Sequence, residues 1–294
     1  MKKIIILLLL TTTATYSQIH LFNFSQEQVI SGRIINSENN KSIPYTNIGI
    51  AKKGVGTVSN YDGNYHLNLN DKISENDTII FSHIGFVSKK ILVKTLLNHS
   101  NKIFLAPSIN NLNEVVVKAK ASKEKKIGRH SKGLGLTHIN FYSYYEKGVD
   151  DRLSKEKGMK LRIKKNCFIK SLNFNITSND FTSLKFRVNF YKIENGLPTD
   201  IIIQKNIIFE IKDNFLGWYK VNLKPYDIYF EKEIENVAVT IQWVESVKKN
   251  EKSKYFSIST SASPTEKAYF RDKAMDKWTS SGQSFSFYLD ALCN

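Results

Sequence analysis

Apolar and polar residues alternate with a period of two through most of the chain. Tyr65, Leu67 and Leu69 alternate with Asn64, His66, Asn68 and Asn70, the spacing of a strand with one wet face. Leu172, Phe174 and Ile176 alternate with Asn173, Asn175 and Thr177, and Phe186, Val188 and Phe190 with Arg187 and Asn189. Val237, Val239, Ile241 and Trp243 alternate with Ala238, Thr240 and Gln242, which puts Trp243 in the core. Phe285, Phe287, Leu289 and Ala291 alternate with Ser284, Ser286, Tyr288 and Asp290. Shorter strands are predicted at Val29–Ile35, Thr46–Ala51, Thr78–Ser82, Lys90–Val93 and Ile103–Leu105. The stretch Thr57–Leu69 reads as a hairpin turned by Asp62 and Gly63, because glycine accepts positive φ at low steric cost. Helical spacing is confined to Tyr142–Ser154 and is weak there.

Many short strands between turns predict an all-β protein. The basic stretch Lys118–Gly133 has seven basic residues, one acid and almost no apolar content, so it reads as a linker. The expected organisation is a signal peptide at 1–17, a β-sandwich at 28–107, a linker at 108–136, and a larger jelly-roll-type β-sandwich at 137–294. The leader rests on the basic Lys2 and Lys3, the apolar run Ile4–Leu10, and small residues Thr15 and Ser17 before Gln18. That run is too short to cross a bilayer as a helix. Export to a periplasm, an outer membrane or the exterior is therefore expected, with no transmembrane span in the mature chain.

At 294 residues and 41 % hydrophobic, the chain can build real cores. Its formal net charge of +16 is spread along strands rather than clustered, and no nucleic-acid-binding fold is legible, so no nucleic-acid partner is expected. Cys167 and Cys293 are the only cysteines, and an oxidising compartment permits a bridge between them; two idle thiols are the alternative.

Four segments of the first part carry a resemblance: Ile30-Ser-Gly-Arg-Ile-Ile35, Ile43-Pro-Tyr-Thr-Asn-Ile-Gly-Ile50, Gly56–Leu67 and Asp77–Phe86. In order and spacing they resemble the carboxypeptidase-regulatory-like domain family. The resemblance implies a transthyretin-like, Ig-like β-sandwich. Such domains extend the N-termini of envelope proteins in Bacteroidetes-type bacteria, including TonB-dependent transporters, and Leu112–Val117 resembles the stretch that follows the domain there. The residues that follow are too few for a plug and a large barrel, so transport is not carried over. Lys185–Tyr191, Asn195–Pro198, Gly217–Leu223 and Val237–Trp243 resemble an uncharacterised exported β-sandwich module.

Catalytic signatures are missing. No histidine has a glutamate three residues on, and no His-Glu-x-x-His occurs, so neither a zinc peptidase nor another metal site is expected. Ser-x-x-Lys occurs at Ser122/Lys125, Ser154/Lys157 and Ser246/Lys249 without the partner motifs of penicillin-recognising enzymes, and there is no Gly-x-Ser-x-Gly. Phosphate and dinucleotide loops are missing, so no cofactor is expected. Asp150, Asp151, Glu231, Glu233, Glu235 and Asp290 suit a glycosidase by residue type alone, and the three glutamates read as a solvated strand edge.

Binding is the better reading. Trp218 alternates with Tyr219 and Val221, so a core-facing Tyr219, Val221 and Leu223 leaves Trp218 exposed with Lys220 and Asn222. Tyr269, Arg271, Lys273 and Trp278 mix aromatic and basic groups in a way that suits an acidic glycan or a peptide. The expected function is a non-enzymatic envelope binding or accessory protein engaging an envelope protein or glycan. A structural or adhesion component and an unrecognised polysaccharide hydrolase are the alternatives.

Overall fold

The computed structural model describes residues 28–97, 99–108, 122–133 and 137–294. The expected leader at 1–17 lies outside them. The chain is all-β. Its first strands are β1 (Val29–Asn36), β2 (Asn47–Ile50), β3 (Val55–Val58), β4 (Asn64–Asn68), β5 (Thr78–Ser82), β6 (Lys89–Leu92) and β7 (Ser100–Leu105). Then come β8 (Lys123–Arg129), β9 (His138–Asn140), β10 (Glu156–Arg162), β11 (Cys167–Asn179), β12 (Phe181–Glu194), β13 (Leu197–Ile201), β14 (Ile207–Lys212) and β15 (Gly217–Asn222). The set ends with β16 (Ile228–Phe230), β17 (Asn236–Lys248), β18 (Phe256–Ala262), β19 (Ala268–Arg271), β20 (Thr279–Ser281), β21 (Gln283–Phe285) and β22 (Phe287–Cys293).

The first seven strands make two small sheets, ordered β4-β1-β7 and β3-β2-β5-β6. They enclose one core containing Ile34, Ile48, Tyr65, Ile79 and Phe81. The expected Thr57–Leu69 hairpin is corrected: β3 pairs with β2 in one sheet and β4 with β1 in the other. Gly63, at φ 78°, turns a corner between sheets, where a Cβ would lie 2.7 Å from the Ile34 carbonyl oxygen. Turn chemistry marks a change of direction but does not choose the strand's partner.

The remaining strands form a seven-stranded sheet built on β12, β17 and β10, and an eight-stranded sheet built on β18, β11, β22 and β8. Their inner faces share a core that includes Trp243, ringed by Phe141, Phe181, Phe186 and Phe256. On β11 the inward parity switches between Ile169 and Leu172. A register shift against β22 lies between Ile169 and Ser171 and keeps both ends of the strand facing the core.

Two expectations are corrected by pairing. Part of the 108–136 linker, Lys123–Arg129, is β8, hydrogen-bonded along β22 from Lys123↔Cys293 to Arg129↔Phe287. An edge strand tolerates four unburied cations because only its Ile127 packs on the core. The helical stretch Tyr142–Ser154 is only a single 3-10 turn, Val149–Arg152. Glu146 explains this locally: it accepts from Arg152 at 2.7 Å and from Lys155 at 2.6 Å, which ties the segment to the sheet instead of winding it. Glu231, Glu233 and Glu235 are exposed as expected, but Glu231 and Glu235 flank a 3-10 turn, Lys232–Ile234, that contains Glu233, rather than a strand edge.

The outer face of the seven-stranded sheet is not wet. Arg187, Asn189, Thr240 and Gln242 alternate with core residues, as a solvated face would, yet all are buried. Toward one end the small sandwich covers Arg187 and Gln242, while Asn189 and Thr240 are bonded to the buried Glu156. Arg187 donates to the Tyr45 carbonyl, to Asn206 Oδ1 at 2.9 Å and to Gln242 Oε1 at 3.0 Å. Gln242 donates to Asn47 Oδ1 at 2.9 Å, and Tyr45 OH donates to Glu245 Oε2 at 2.9 Å. Gly49 and Gly56 face each other across β2 and β3, and a Cβ on either would lie 2.4 or 2.5 Å from the Ala274 carbonyl oxygen. These glycines are required for close backbone approach, not for a turn. Lys52 N donates to the Met275 carbonyl at 3.1 Å in the same seam.

Candidate binding face of the larger sandwich

The outer face of the eight-stranded sheet carries the exposed aromatic that parity predicts. β15 pairs with β11 so that Trp218 lies beside Asn175, Lys220 beside Asn173 and Asn222 beside Ser171. β22 lies on the other side of β11, placing Tyr288 beside Asn173 and Asp290 beside Ser171. Trp218 is 36 % exposed, and its ring meets Tyr288 edge to face at 5.3 Å. Lys126 Nζ stands 5.1 Å from the Tyr288 ring centroid.

A polar strip underlies the two rings. Ser171 Oγ donates to Asp290 Oδ2 at 2.8 Å, and Asn173 Nδ2 donates to the same oxygen at 3.1 Å. Lys220 Nζ lies 3.7 Å from that oxygen. Partial burial, with the Asp290 charge adding to it, raises the Tyr288 phenol above its ordinary pKa, so it stays a neutral donor. Ser171 and Asn173 are themselves buried and hold Asp290 in place, so what the face presents is the Trp218 and Tyr288 rings, the half-buried Asp290 carboxylate and the flanking Lys126 and Lys220, groups that suit the apolar C–H face and hydroxyls of a sugar ring. Tyr288 and Asn173 were not assigned to a site by sequence, and Asp290 was a candidate carboxylate by residue type alone. Alternation put them on wet faces, but only strand order brings them together. The two cysteines held that signal, because Cys167 and Cys293 are cross-strand partners in the same ladder and are joined by a disulfide, with Cα atoms 4.1 Å apart.

The second expected cluster is a correction. Tyr269 is fully buried, on the outer face of the seven-stranded sheet with Tyr191 and Ala238. Arg271 donates to Glu156 Oε2 at 2.5 Å, and Trp278 lies over its guanidinium at 4.4 Å. Glu156, fully buried, also accepts from Asn189 at 2.8 Å, from Tyr191 OH at 3.0 Å and from Thr240 Oγ1. Lys273 Nζ donates to the Asp151 carbonyl at 2.6 Å. Arg271 therefore satisfies an internal carboxylate with Trp278 packed over it, and the group does not present an open grip. Among the described residues, no cluster of three or more His, Cys, Asp or Glu is arranged to hold a metal ion. No helix among them is long and apolar enough to cross a membrane.

Residues 30–117 match the CarboxypepD_reg-like domain family. TonB-dependent receptor P3 of Formosa agariphila is 34 % identical over 93 residues, which are 32 % of this chain and 9 % of that receptor. Among solved structures, the cysteine protease and lectin-like domains of Cwp84, a surface layer associated protein of Clostridium difficile, align over 92 % of this chain and 60 % of that one. The TM-score is 0.41 at 11 % identity. Infectious bursal disease virus, Gx strain, aligns over 91 % of this chain and 56 % of its own at TM-score 0.29 and 10 % identity. Likeness at those scores carries no argument about fold or activity. The match at residues 30–117 and the paired sheets that contain most of it give the identification: this chain carries a CarboxypepD_reg-like domain.

Proposed function

We propose that this chain is a non-enzymatic binding or accessory protein of the bacterial envelope, exported to the periplasm, the outer membrane or the exterior. Its CarboxypepD_reg-like domain is a rigid support, and its larger sandwich engages an envelope glycan through Trp218 and Tyr288. The observation that carries this reading is the exposed Trp218 packed edge to face on the half-buried Tyr288, beside the Asp290 carboxylate that Ser171 and Asn173 hold. Similarity to a receptor named as TonB-dependent supports the envelope setting.

The test is a screen of the full chain against envelope glycans, with Trp218→Ala and Tyr288→Ala beside it. Saturable binding that falls about tenfold in each variant, with the melting temperature unchanged, is the expected result for loss of a stacking platform. A failure to bind any glycan, or binding indifferent to both changes, would replace this reading with a purely structural or adhesive role.

A further inference from the structure

One end of the larger sandwich gathers most of its exposed apolar side chains. β11 and β17 run into this end and β12 and β18 leave it, so Phe181 lies beside Lys248 and Asn179 beside Phe256. The turn between β14 and β15 reaches the same end, because Lys212 pairs with Ser183 and Gly217 with Ile176. The segment after β9 joins it through Phe141 N, which donates to the Phe256 carbonyl at 3.0 Å. Among the described residues the larger sandwich exposes eight large hydrophobic side chains, and six of them stand here: Tyr144, Tyr145, Phe215, Leu216, Val247 and Tyr255. Single exposed apolar residues are ordinary, but their concentration at one end of a domain marks an interaction surface.

The fold holds these rings out. Tyr144 and Tyr145 are 92 % and 95 % exposed, on a turn closed by Glu146, whose carboxylate accepts from Ser143 N at 3.0 Å. That carboxylate is buried and ion-paired with Arg152 and Lys155. Tyr255 meets Tyr142 edge to face at 5.8 Å, and Lys254 Nζ stands 4.3 Å from the Tyr142 ring centroid. Asp180 Oδ2 accepts from Lys254 N at 3.1 Å and from Tyr255 N at 2.8 Å. Asn214 Nδ2 donates to the Phe181 carbonyl at 2.7 Å, which ties the Phe215 turn to the same corner.

Charge around the rings is mainly positive. The turn from Lys248 to Tyr255 carries Lys248, Lys249, Lys252 and Lys254 against Glu251, which lies 3.7 Å from Lys248. Lys249 and Lys252 are exposed, and neither forms an ion pair among the described residues. Asp213 is on the Phe215 turn, while Asp150 and Asp272 lie toward the seam with the small sandwich. A folded protein or a glycan is met by a groove or a flat platform. Separate turns that carry tyrosines and long lysine stems suit a fluid surface instead, because a tyrosine ring sits at the lipid headgroup level with its hydroxyl wet, and a lysine reaches lipid phosphate.

We infer that this end of the larger sandwich docks on the headgroup layer of a bilayer that contains anionic lipid. The Tyr144, Tyr145 and Tyr255 rings enter the interface, and Lys249 and Lys252 lie against lipid phosphates. The inference does not rest on the glycan reading, since a phospholipid vesicle carries no sugar chain.

The test sediments the full chain with vesicles of phosphatidylglycerol and phosphatidylethanolamine, and with vesicles of phosphatidylcholine alone. Binding to the anionic vesicles is expected, about tenfold weaker on the neutral ones and weakened by added salt. Tyr144→Ser with Tyr145→Ser, and separately Lys249→Glu with Lys252→Glu, each lower partition about tenfold while the melting temperature holds. Lys164→Glu with Lys165→Glu makes the same charge change on exposed residues at the opposite end, between β10 and β11, and leaves partition within about twofold, because that end lies beyond the screening length. No binding to anionic vesicles, equal binding to neutral ones, or indifference to the tyrosine pair overturns the inference. So does an equal loss from the Lys164 and Lys165 reversal, which would mean diffuse attraction of a basic protein. Capture of an envelope protein through these tyrosines, without vesicle binding, would assign the surface to a protein partner. If glycan binding fails while the vesicle results stand, only the glycan reading falls.

Discussion

Arg187, on β12 of the larger sandwich, donates through Nη2 to the main-chain carbonyl of Tyr45 in the CarboxypepD_reg-like domain. This bond crosses the seam between the modules beside those of Gln242 with Asn47 and Tyr45 with Glu245, and the rest of the guanidinium is held by Asn206 and Gln242. Burial lowers the Arg187 pKa to about 10, still well above neutrality, so the seam contains a buried cation satisfied by neutral oxygens. Arg187→Met keeps most of the volume and removes every donor. The expected cost is about 2–4 kcal/mol, because two buried acceptors, the Tyr45 carbonyl and Gln242 Oε1, and the half-buried Asn206 lose their partner. Chemical denaturation checks the cost, and small-angle scattering checks whether the modules separate. An unchanged midpoint would mean that the seam does not depend on this residue.

Gly49 tests the same seam without touching charge. Its missing Cβ admits the Ala274 carbonyl, and its own strand lies in the β2–β3 ladder. Gly49→Val suits a strand by propensity, so the isolated small sandwich is left able to form. In the full chain the modules are forced apart, and limited proteolysis should cut the 272–276 loop that the wild type protects. Equal protection in both would place the seam elsewhere.

His83 makes the protein acid-sensitive. Burial, reinforced by the nearby Arg187 charge, lowers its pKa from 6.5 to about 4. Between those values the unfolded chain binds a proton that the folded chain refuses. Stability therefore falls as pH drops from 6.5 to about 4, by about 2–3 kcal/mol over the window. His83→Gln should flatten that part of the stability–pH curve. An identical slope in wild type and variant would show that His83 titrates normally.

Arg271 and Glu156 distinguish an internal ion pair from a ligand site. Arg271→Ala leaves a fully buried carboxylate without its cation, at a cost of about 3–5 kcal/mol. Adding Glu156→Gln removes the stranded charge and should restore part of the loss, which a double-mutant cycle measures. If Arg271→Ala is neutral for stability and instead abolishes glycan binding, the Arg271–Trp278 cluster is the site and the Trp218 face is not.

The Cys167–Cys293 bridge closes a loop spanning 126 positions and joins the first strand residue of β11 to the last of β22. Replacing both with serine should cost about 2–5 kcal/mol, largely by freeing the unfolded chain. Non-reducing peptide mapping checks the bond, and a melting curve with and without reductant checks its contribution. Reductant without effect on the wild type would mean that the thiols are unpaired.

Local sequence determined the strands. Alternation placed Trp243 inside and Trp218 outside, and the four quoted segments marked the CarboxypepD_reg-like domain, because period-two burial and turn chemistry are written in neighbouring residues. Tertiary structure decided what each polar face meets. Arg187 and Gln242 have the spacing of a wet face, and they are dry because a module encoded more than a hundred positions earlier in the chain docks on them. Arg271 reads as a free grip and is instead held by Glu156 on the neighbouring strand β10, and Tyr269 is buried against Tyr191 and Ala238. The basic run at Lys123–Arg129 has no apolar periodicity of its own and becomes a strand only through the hydrogen bonds that β22 offers it. Pairing partners and docked surfaces are long-range choices, made by total burial and hydrogen-bond satisfaction, and no local window of residues contains them.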